Sequence, residues 1–144
     1  KRYLLLCAAD GLPETGSIDI PLAPHPKDRR RVLACVHPRD VARNAPRPAS
    51  TSFRVVRVAG PWALVEASAP KASRHQIRAH FAAIEHPLVG DELYGGPPLP
   101  DAAAGRRGHA LHAHHVTWRG SAVVPAFSIE SPLPDELERV LDQK

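Results

Sequence analysis

The chain has 144 residues, 43% of them hydrophobic, with a formal net charge of +4. That is enough apolar content for one folded domain with a core, and it excludes a disordered tail. Nineteen residues are Lys or Arg, and since only Lys1, Lys27, Lys71 and Lys144 are lysine, fifteen are arginine. Arginine presents a planar fork to phosphate and a face that stacks, so an arginine-rich basic domain leans towards nucleic acid. A codon bias that also favours Ala and Pro is the bland account of the same composition. No apolar stretch approaches membrane-spanning length and no secretory pattern opens the chain, so a cytoplasmic protein is expected. Cys7 and Cys35 both lie in apolar runs, which predicts buried free thiols and no disulfide framework.

In chain order, Tyr3 to Ala8 is an apolar run suited to a buried strand. Asp10-Gly11 and residues 13–16 end it as turn signals. A brief extended piece follows over Ser17 to Leu22. Residues 24–31 form a basic, Pro-broken loop, and a strand is predicted over Arg31 to Val36. His37 to Ser50 has three Pro, three Arg and an Asn with little to bury, and reads as a loop. Thr51 to Val58 alternates, with Phe53, Val55 and Arg57 opposite Arg54, Val56 and Val58. Gly60-Pro61 connects it to a second strand over Trp62 to Ala67, making a hairpin.

A helix is predicted over His75 to Glu85, with Ile77, Phe81, Ile84 and then Leu88 on one apolar face and Pro87 as its stop. Residues 95–108 form a Gly/Pro/Ala loop. Ala110 to Trp118 and Ala122 to Ile129 read as another hairpin about Arg119-Gly120. Pro134 to Leu141 is a closing helix whose early acidic residues suit the helix dipole. Strands interrupted by two helices predict an α+β fold with a mostly antiparallel sheet.

The segment from Ala72 to Gly95 carries the most information: A-S-R-H-Q-I-R-A-H-F-A-A-I-E-H-P-L-V-G-D-E-L-Y-G. It opens a short helix with Arg74, His75, Gln76 and Arg78. Unpaired amides at a helix start already favour anions, so these side chains could hold phosphates or base edges; capping and solvated charge is the competing account. Arg78 sits at the edge of the buried stripe and so needs an anionic partner, and a structural ion pair with Asp91 or Glu66 would serve. Asp91 itself reads as a cap for the turn that follows. Tyr3 in an apolar run reads as core.

His109, His112, His114 and His115 cluster within seven residues. On a strand His112 and His114 share a face and could share a metal, but no further ligands have suitable spacing and neither Cys belongs to a CxxC pair. Exposed or hydrogen-bonded histidines account for the cluster better.

The 72–95 segment closely resembles the His-Gln-Ile-Arg … His-Pro-hydrophobic-hydrophobic-Gly-Asp-x-x-Tyr-Gly signature of RluA-type RNA pseudouridine synthases. Lys1-Arg2-Tyr3-Leu4 is similar to the Lys-x-Tyr-x-Ala motif of that family. Leu111-His112-Ala113 resembles its Leu-His-Ala strand, and Ser131-Pro132-Leu133-Pro134 its Pro-Leu-Pro entry to the last helix. The matches run in the same order over nearly the whole chain. The usual Gly-Arg-Thr/Ser before His-Gln is absent: Ala72, Ser73 and Arg74 stand there, so the family's arginine is replaced by Ser73 or displaced to Arg74.

The resemblance implies uridine-to-pseudouridine isomerisation in rRNA or tRNA, with no cofactor. It implies that Arg78 pairs with the catalytic aspartate, that Tyr3 contacts the target base, and that Arg74, His75 and Gln76 contact RNA. That aspartate belongs to a His-Arg-Leu-Asp segment that does not occur here. The chain also opens at Lys1 without an initiator Met. Residues 1–144 are therefore expected to be the C-terminal portion of such a catalytic domain, inactive alone. A catalytically silent RNA-binding module is the alternative.

Overall fold

The computed structural model describes residues 1–103 and 108–142. Eight strands, three α-helices and two 3-10 turns follow one another along it. β1 (Arg2–Ala8) is the pivot. Its run Leu4-Leu5-Leu6-Cys7 is buried residue after residue, because this strand lies inside the sheet with both faces covered. β6 (Trp62–Ser68) pairs with one of its edges and β7 (Leu111–Trp118) with the other. β5 (Thr51–Ala59) and β2 (Thr15–Ile18) extend the sheet beyond β6, and β8 (Phe127–Glu130) extends it beyond β7. The order is β2-β5-β6-β1-β7-β8, and every pairing is antiparallel. A separate small hairpin joins β3 (Leu22–Pro24) to β4 (Val32–Ala34).

Each face of the sheet receives one helix. α2 (Gln76–Ala83) lays Ile77 and Phe81 on Leu5, Cys7, Phe53 and Val65. The Phe53 and Phe81 rings meet edge-on, with centroids 5.4 Å apart. α3 (Asp135–Asp142) covers the other face with Leu137, Val140 and Leu141 against Leu4, Leu6 and Leu64. The alternation of β1 thus divides its leucines between two cores. Arg57 ties α3 down, reaching the Leu141 carbonyl at 3.2 Å and Asp142 at 3.0 Å, a cation where the helix dipole favours one.

Several details differ from the sequence reading, among them the second strand of the last hairpin, expected from Ala122, which begins at Phe127. The loop expected over 37–50 contains α1 (Pro38–Asn44), a third helix that buries nothing. Pro38 is not a breaker there. It occupies the first turn, where no N–H is needed, and the His37 ring caps the Arg39 amide at 3.0 Å. The alternation of β5 fails after Val55, where a bulge shifts the register and leaves Val56 and Val58 exposed. α2 ends before Pro87 is reached. Glu85 turns left-handed (φ 67°), and the His86 and Glu85 amides bond back to Phe81 and Ala82, a C-terminal motif that closes the last turn. Cys7 and Cys35 are buried free thiols as expected, and burial pushes the Cys7 thiol up to about 12.

A buried polar link fixes α2 against β5. The His80 ring is fully buried, with Nε2 donating to the Ile20 carbonyl at 2.8 Å and Nδ1 2.8 Å from the Thr51 hydroxyl. The carbonyl can only accept, so Nε2 carries the proton and Nδ1 accepts from Thr51. Burial therefore holds the imidazole neutral, lowering its pKa from 6.5. A depressed histidine contributes stability that is complete above its unfolded pKa and is lost as pH falls below it. Thermal unfolding at a series of pH values should show stability declining below about pH 6.5, with His80→Gln flattening that decline.

Candidate active site

The start of α2 is held in an unusual conformation. His75 precedes the helix at φ 56° and ψ 16°, left-handed for a residue with a side chain, and it offers no side-chain cap. Such a geometry costs energy and persists only where neighbours enforce it. Here the neighbours are Arg78 and Tyr94. Arg78 Nη1 donates to His75 Nε2 at 3.1 Å, which places the ring proton on Nδ1, 3.0 Å from the Tyr94 hydroxyl. The Tyr94 oxygen also accepts from the Val32 amide at 2.9 Å. Burial, and then the charges of Arg78 and Arg74, lower the His75 pKa, so the ring stays neutral and can accept from Arg78.

Arg78 is anchored on its other side by Asp91. Nε donates to Oδ2 and Nη2 to Oδ1, both at 2.8 Å, a bidentate fork. The Asp91 side chain is fully buried and that of Arg78 is 14% exposed. The hydrogen bond to Asp91 raises the Arg78 pKa further. The guanidinium also lies over the Tyr94 ring, 5.1 Å from its centre. A chain of contacts thus runs Asp91–Arg78–His75–Tyr94–Val32, joining α2, the 3-10 turn Glu92–Tyr94 and β4. Asp91 does not cap that turn with its side chain, as the sequence suggested; its carboxylate is committed to Arg78. The turn is packed tightly enough that a Cβ on Gly96 would collide with the Leu88 carbonyl.

Two clefts open beside Arg78. One, of about 360 Å³, is lined by Tyr3, Ser73, His75, Arg78, His109 and Leu111. The other, of about 780 Å³, is lined by Arg30, Arg31, Asp91, Glu92 and Leu99, and again by Arg78 and His109. Tyr3 and Arg78, far apart in sequence, therefore share a wall. Tyr3 reaches it from β1, half-buried on the α2 face of the sheet and packed at the margin of the core.

The three polar residues at the helix start separate. His75 lines the smaller cleft. Arg74 is exposed, but its guanidinium reaches sideways to the carbonyls of Arg29 (3.2 Å) and Arg30 (2.8 Å). Gln76, expected to contact RNA, is turned inward. It is 3% exposed. Its amide nitrogen donates to the Ser50 carbonyl (2.9 Å) and to Thr51 Oγ1 (3.1 Å), and its oxygen accepts from Ser73. A buried amide with donors and acceptor both committed is a tie between the helix start and β5. Tyr94 went unnoticed in the sequence, although the Gly-Asp-x-x-Tyr-Gly run contains it. Its place three residues after Asp91, in the turn that follows an Arg- and His-rich helix, is the signal that could have marked it.

His112 and His114 do share a face, and both rings lie within hydrogen-bond distance of the Ser131 carbonyl, at 3.2 and 2.9 Å. A carbonyl has no proton to give, so both rings act as donors. Among the described residues, no group of three or more His, Cys, Asp or Glu is placed to hold a metal. No helix among them is long and apolar enough to cross a membrane.

No family model matches the chain. Individual proteins do. The chain is 32% identical, over 145 residues, to ribosomal large subunit pseudouridine synthase D of Nitrosomonas europaea, covering 98% of this chain and 40% of that protein. It is 33% identical, over 137 residues, to an uncharacterized RNA pseudouridine synthase of Chloroflexus aurantiacus, covering 91% of this chain and 38% of the relative. The chain thus spans about two-fifths of the length of these relatives. In fold it is similar to human RNA pseudouridylate synthase domain containing 1, with a TM-score of 0.69 at 20% identity over 92% of this chain and 54% of that one. Human RNA pseudouridylate synthase domain containing 4 gives 0.67 at 21% identity, covering 97% and 61%. Over nearly all its residues this chain is similar in sequence to RNA pseudouridine synthases, and it shares the fold of two human pseudouridylate synthase domains.

Proposed function

We propose that the protein containing this chain isomerises uridine to pseudouridine in RNA, and that residues 1–144 form the C-terminal portion of its catalytic domain. The observation that carries this reading is the shared wall of the smaller cleft, where Tyr3 from β1 meets Arg78 from α2 within a chain related to pseudouridine synthases. The names of the relatives favour ribosomal RNA of the large subunit over transfer RNA.

The chemistry asks for few groups. The glycosidic bond between N1 and C1′ breaks, the uracil turns, and a bond forms between C5 and C1′ while the C5 proton is lost and N1 gains one. Product and substrate are isomers, so no oxidant, reductant or cofactor has to enter. A base taken out of its stack needs a ring to lie against, and Tyr3 supplies one. The nucleophilic carboxylate comes from outside this chain, and a nearby cation keeps it ionised. Three of the five Arg78 N–H groups are engaged by Asp91 and His75, which leaves two for that carboxylate. His75, held neutral, borders the base without adding charge.

A catalytically silent RNA-binding module is the second reading. It is favoured by the completeness of the Arg78–Asp91 fork inside the chain and by Ser73 where the family has arginine.

The first test is a comparison. The full-length protein should form pseudouridine in unmodified large-subunit RNA, detected by mass spectrometry, and the 144-residue chain alone should form none. Pseudouridine made by the short chain would remove the need for an outside aspartate.

Arg78 needs a variant pair, because its loss strands a buried carboxylate. Arg78→Ala should lower stability by about 3–5 kcal/mol and turnover by on the order of a hundredfold or more. Arg78→Met combined with Asp91→Leu replaces the pair by apolar groups and should recover most of the stability but none of the turnover. Recovery of both would make the ion pair purely structural.

For Tyr3, substitution by Phe should leave melting temperature and RNA affinity near normal. Tyr3→Ala should cost roughly 1–3 kcal/mol of base stacking in RNA binding. A melting-temperature loss in Tyr3→Ala equivalent to about 3–5 kcal/mol, with normal turnover in Tyr3→Phe, would assign Tyr3 to the core instead.

A further inference from the structure

The larger cleft is lined by a cation that the fold positions and that no carboxylate pairs with directly, although Asp28 lies close enough to act on it through space. The turn between β3 and β4 reads Lys27-Asp28-Arg29-Arg30-Arg31. Arg30 is neutralised locally, with Nε and Nη2 forked onto the Asp28 carboxylate at 3.1 and 3.0 Å. Arg78 is neutralised by Asp91. Arg31 has no carboxylate within ion-pair distance among the described residues. Its guanidinium lies 5.4 Å from the centre of the Tyr94 ring, and its Nε is buried with no hydrogen-bond partner. That buried Nε cannot itself meet a ligand, but Arg31 is half-buried and lines the cleft, so its Nη groups are the donors an anion there would reach.

The turn itself is braced. The His25 ring accepts from the Lys27 and Asp28 amides, Asp28 accepts from the Arg30 amide, and Arg74 crosses from the helix start to hold the Arg29 and Arg30 carbonyls. Arginine has a large side-chain entropy to lose, and a ring beneath it and a fixed backbone reduce that loss on binding. Glu92 and Asp28 also line the cleft and oppose an anion, Asp28 less so because Arg30 is forked onto it. The lining is thus close to balanced in charge, and a ligand is held by the open donors of Arg31 rather than by a broad field.

We propose that Arg31 binds a backbone phosphate of the RNA whose base enters the Tyr3 cleft, and that Arg74 is a positioning residue that holds the Arg31 turn. The inference rests on the reading of the smaller cleft as the base site. The two clefts meet at Arg78 and His109, so one strand can place a base in one and the adjoining phosphate in the other.

The test uses the full-length protein and a ten-nucleotide single-stranded oligouridylate, with Kd measured across a series of KCl concentrations. Each phosphate neutralised on a single strand contributes about 0.7 to the slope of log affinity against log salt. Arg31→Gln should reduce that slope by about 0.7 and weaken binding by roughly three- to tenfold at moderate salt. Arg31→Lys should keep the slope with weaker affinity. Glu92→Gln, which leaves Arg31 and Tyr94 in place, should tighten binding. Arg74→Ala should weaken binding in the parent protein and add little once Arg31 is Gln, because it acts through the turn. An unchanged slope in folded Arg31→Gln, or in a failure of that variant to fold an unchanged affinity in Glu92→Gln, overturns the proposal. Pseudouridine formation with Arg31-independent binding defeats the phosphate site alone. Arg31-dependent binding without any pseudouridine defeats the enzymatic reading alone.

Discussion

The bidentate contact between Arg78 and Asp91 is the constraint on which the candidate site depends. A fully buried carboxylate is tolerable only with a partner that meets both its oxygens, and Arg78 does so at 2.8 Å on each side. Once that fork is fixed, the remaining geometry follows. The third engaged N–H of Arg78 reaches His75, which sets the tautomer of the ring and holds a left-handed residue in place. The same ring bonds Tyr94, and Tyr94 holds β4 through the Val32 amide. A polar chain therefore connects the helix, the Gly-Asp turn and the small hairpin, and it places one cation between two clefts.

The apolar part of the fold supplies the rest of the frame. β1 carries leucines to two cores at once, and this buries it at the centre of the sheet. Its first side chain on the α2 face, Tyr3, falls at the margin of the α2 core, where packing ends and the cleft begins. Gln76, Thr51 and His80 lock α2 to β5, and β5 is joined through β6 to β1, so the helix start is held against the sheet that carries Tyr3. Rigid elements on both sides are what a base pocket requires, since small displacements of a positioning group cost rate steeply.

How much of this the sequence disclosed depended on the kind of signal. Continuous burial in Leu4 to Cys7, the hairpin over 51–68 and the α2 stripe of Ile77 and Phe81 were legible because periodicity records them directly. The family resemblance was legible because the 72–95 motif is long and specific. Other features were not. The bulge after Val55 depends on pairing with β6, which alternation in one strand does not encode. α1 is hidden in sequence because Pro38 stands near Pro46 and Pro48 in a segment with little to bury, although a proline beside a capping side chain starts a helix. Gln76 reads as polar and therefore outward-facing, but its partners are brought in from Ser50 and Ser73 by the tertiary fold. Arg31 is one of three consecutive arginines in sequence, and only the fold shows that its neighbour Arg30 is spent on Asp28 while Arg31 is not.

The central claim is that the cleft between Tyr3 and Arg78 receives the base. The most direct measurement is a crystal structure of the full-length protein bound to RNA carrying 5-fluorouridine at the modified position. The account predicts that the fluorinated base is turned out of its stack onto the Tyr3 ring, with the catalytic carboxylate within hydrogen-bond distance of Arg78 and the Asp91 fork intact. A base seated elsewhere, with Tyr3 and Arg78 remote from it, would contradict the account.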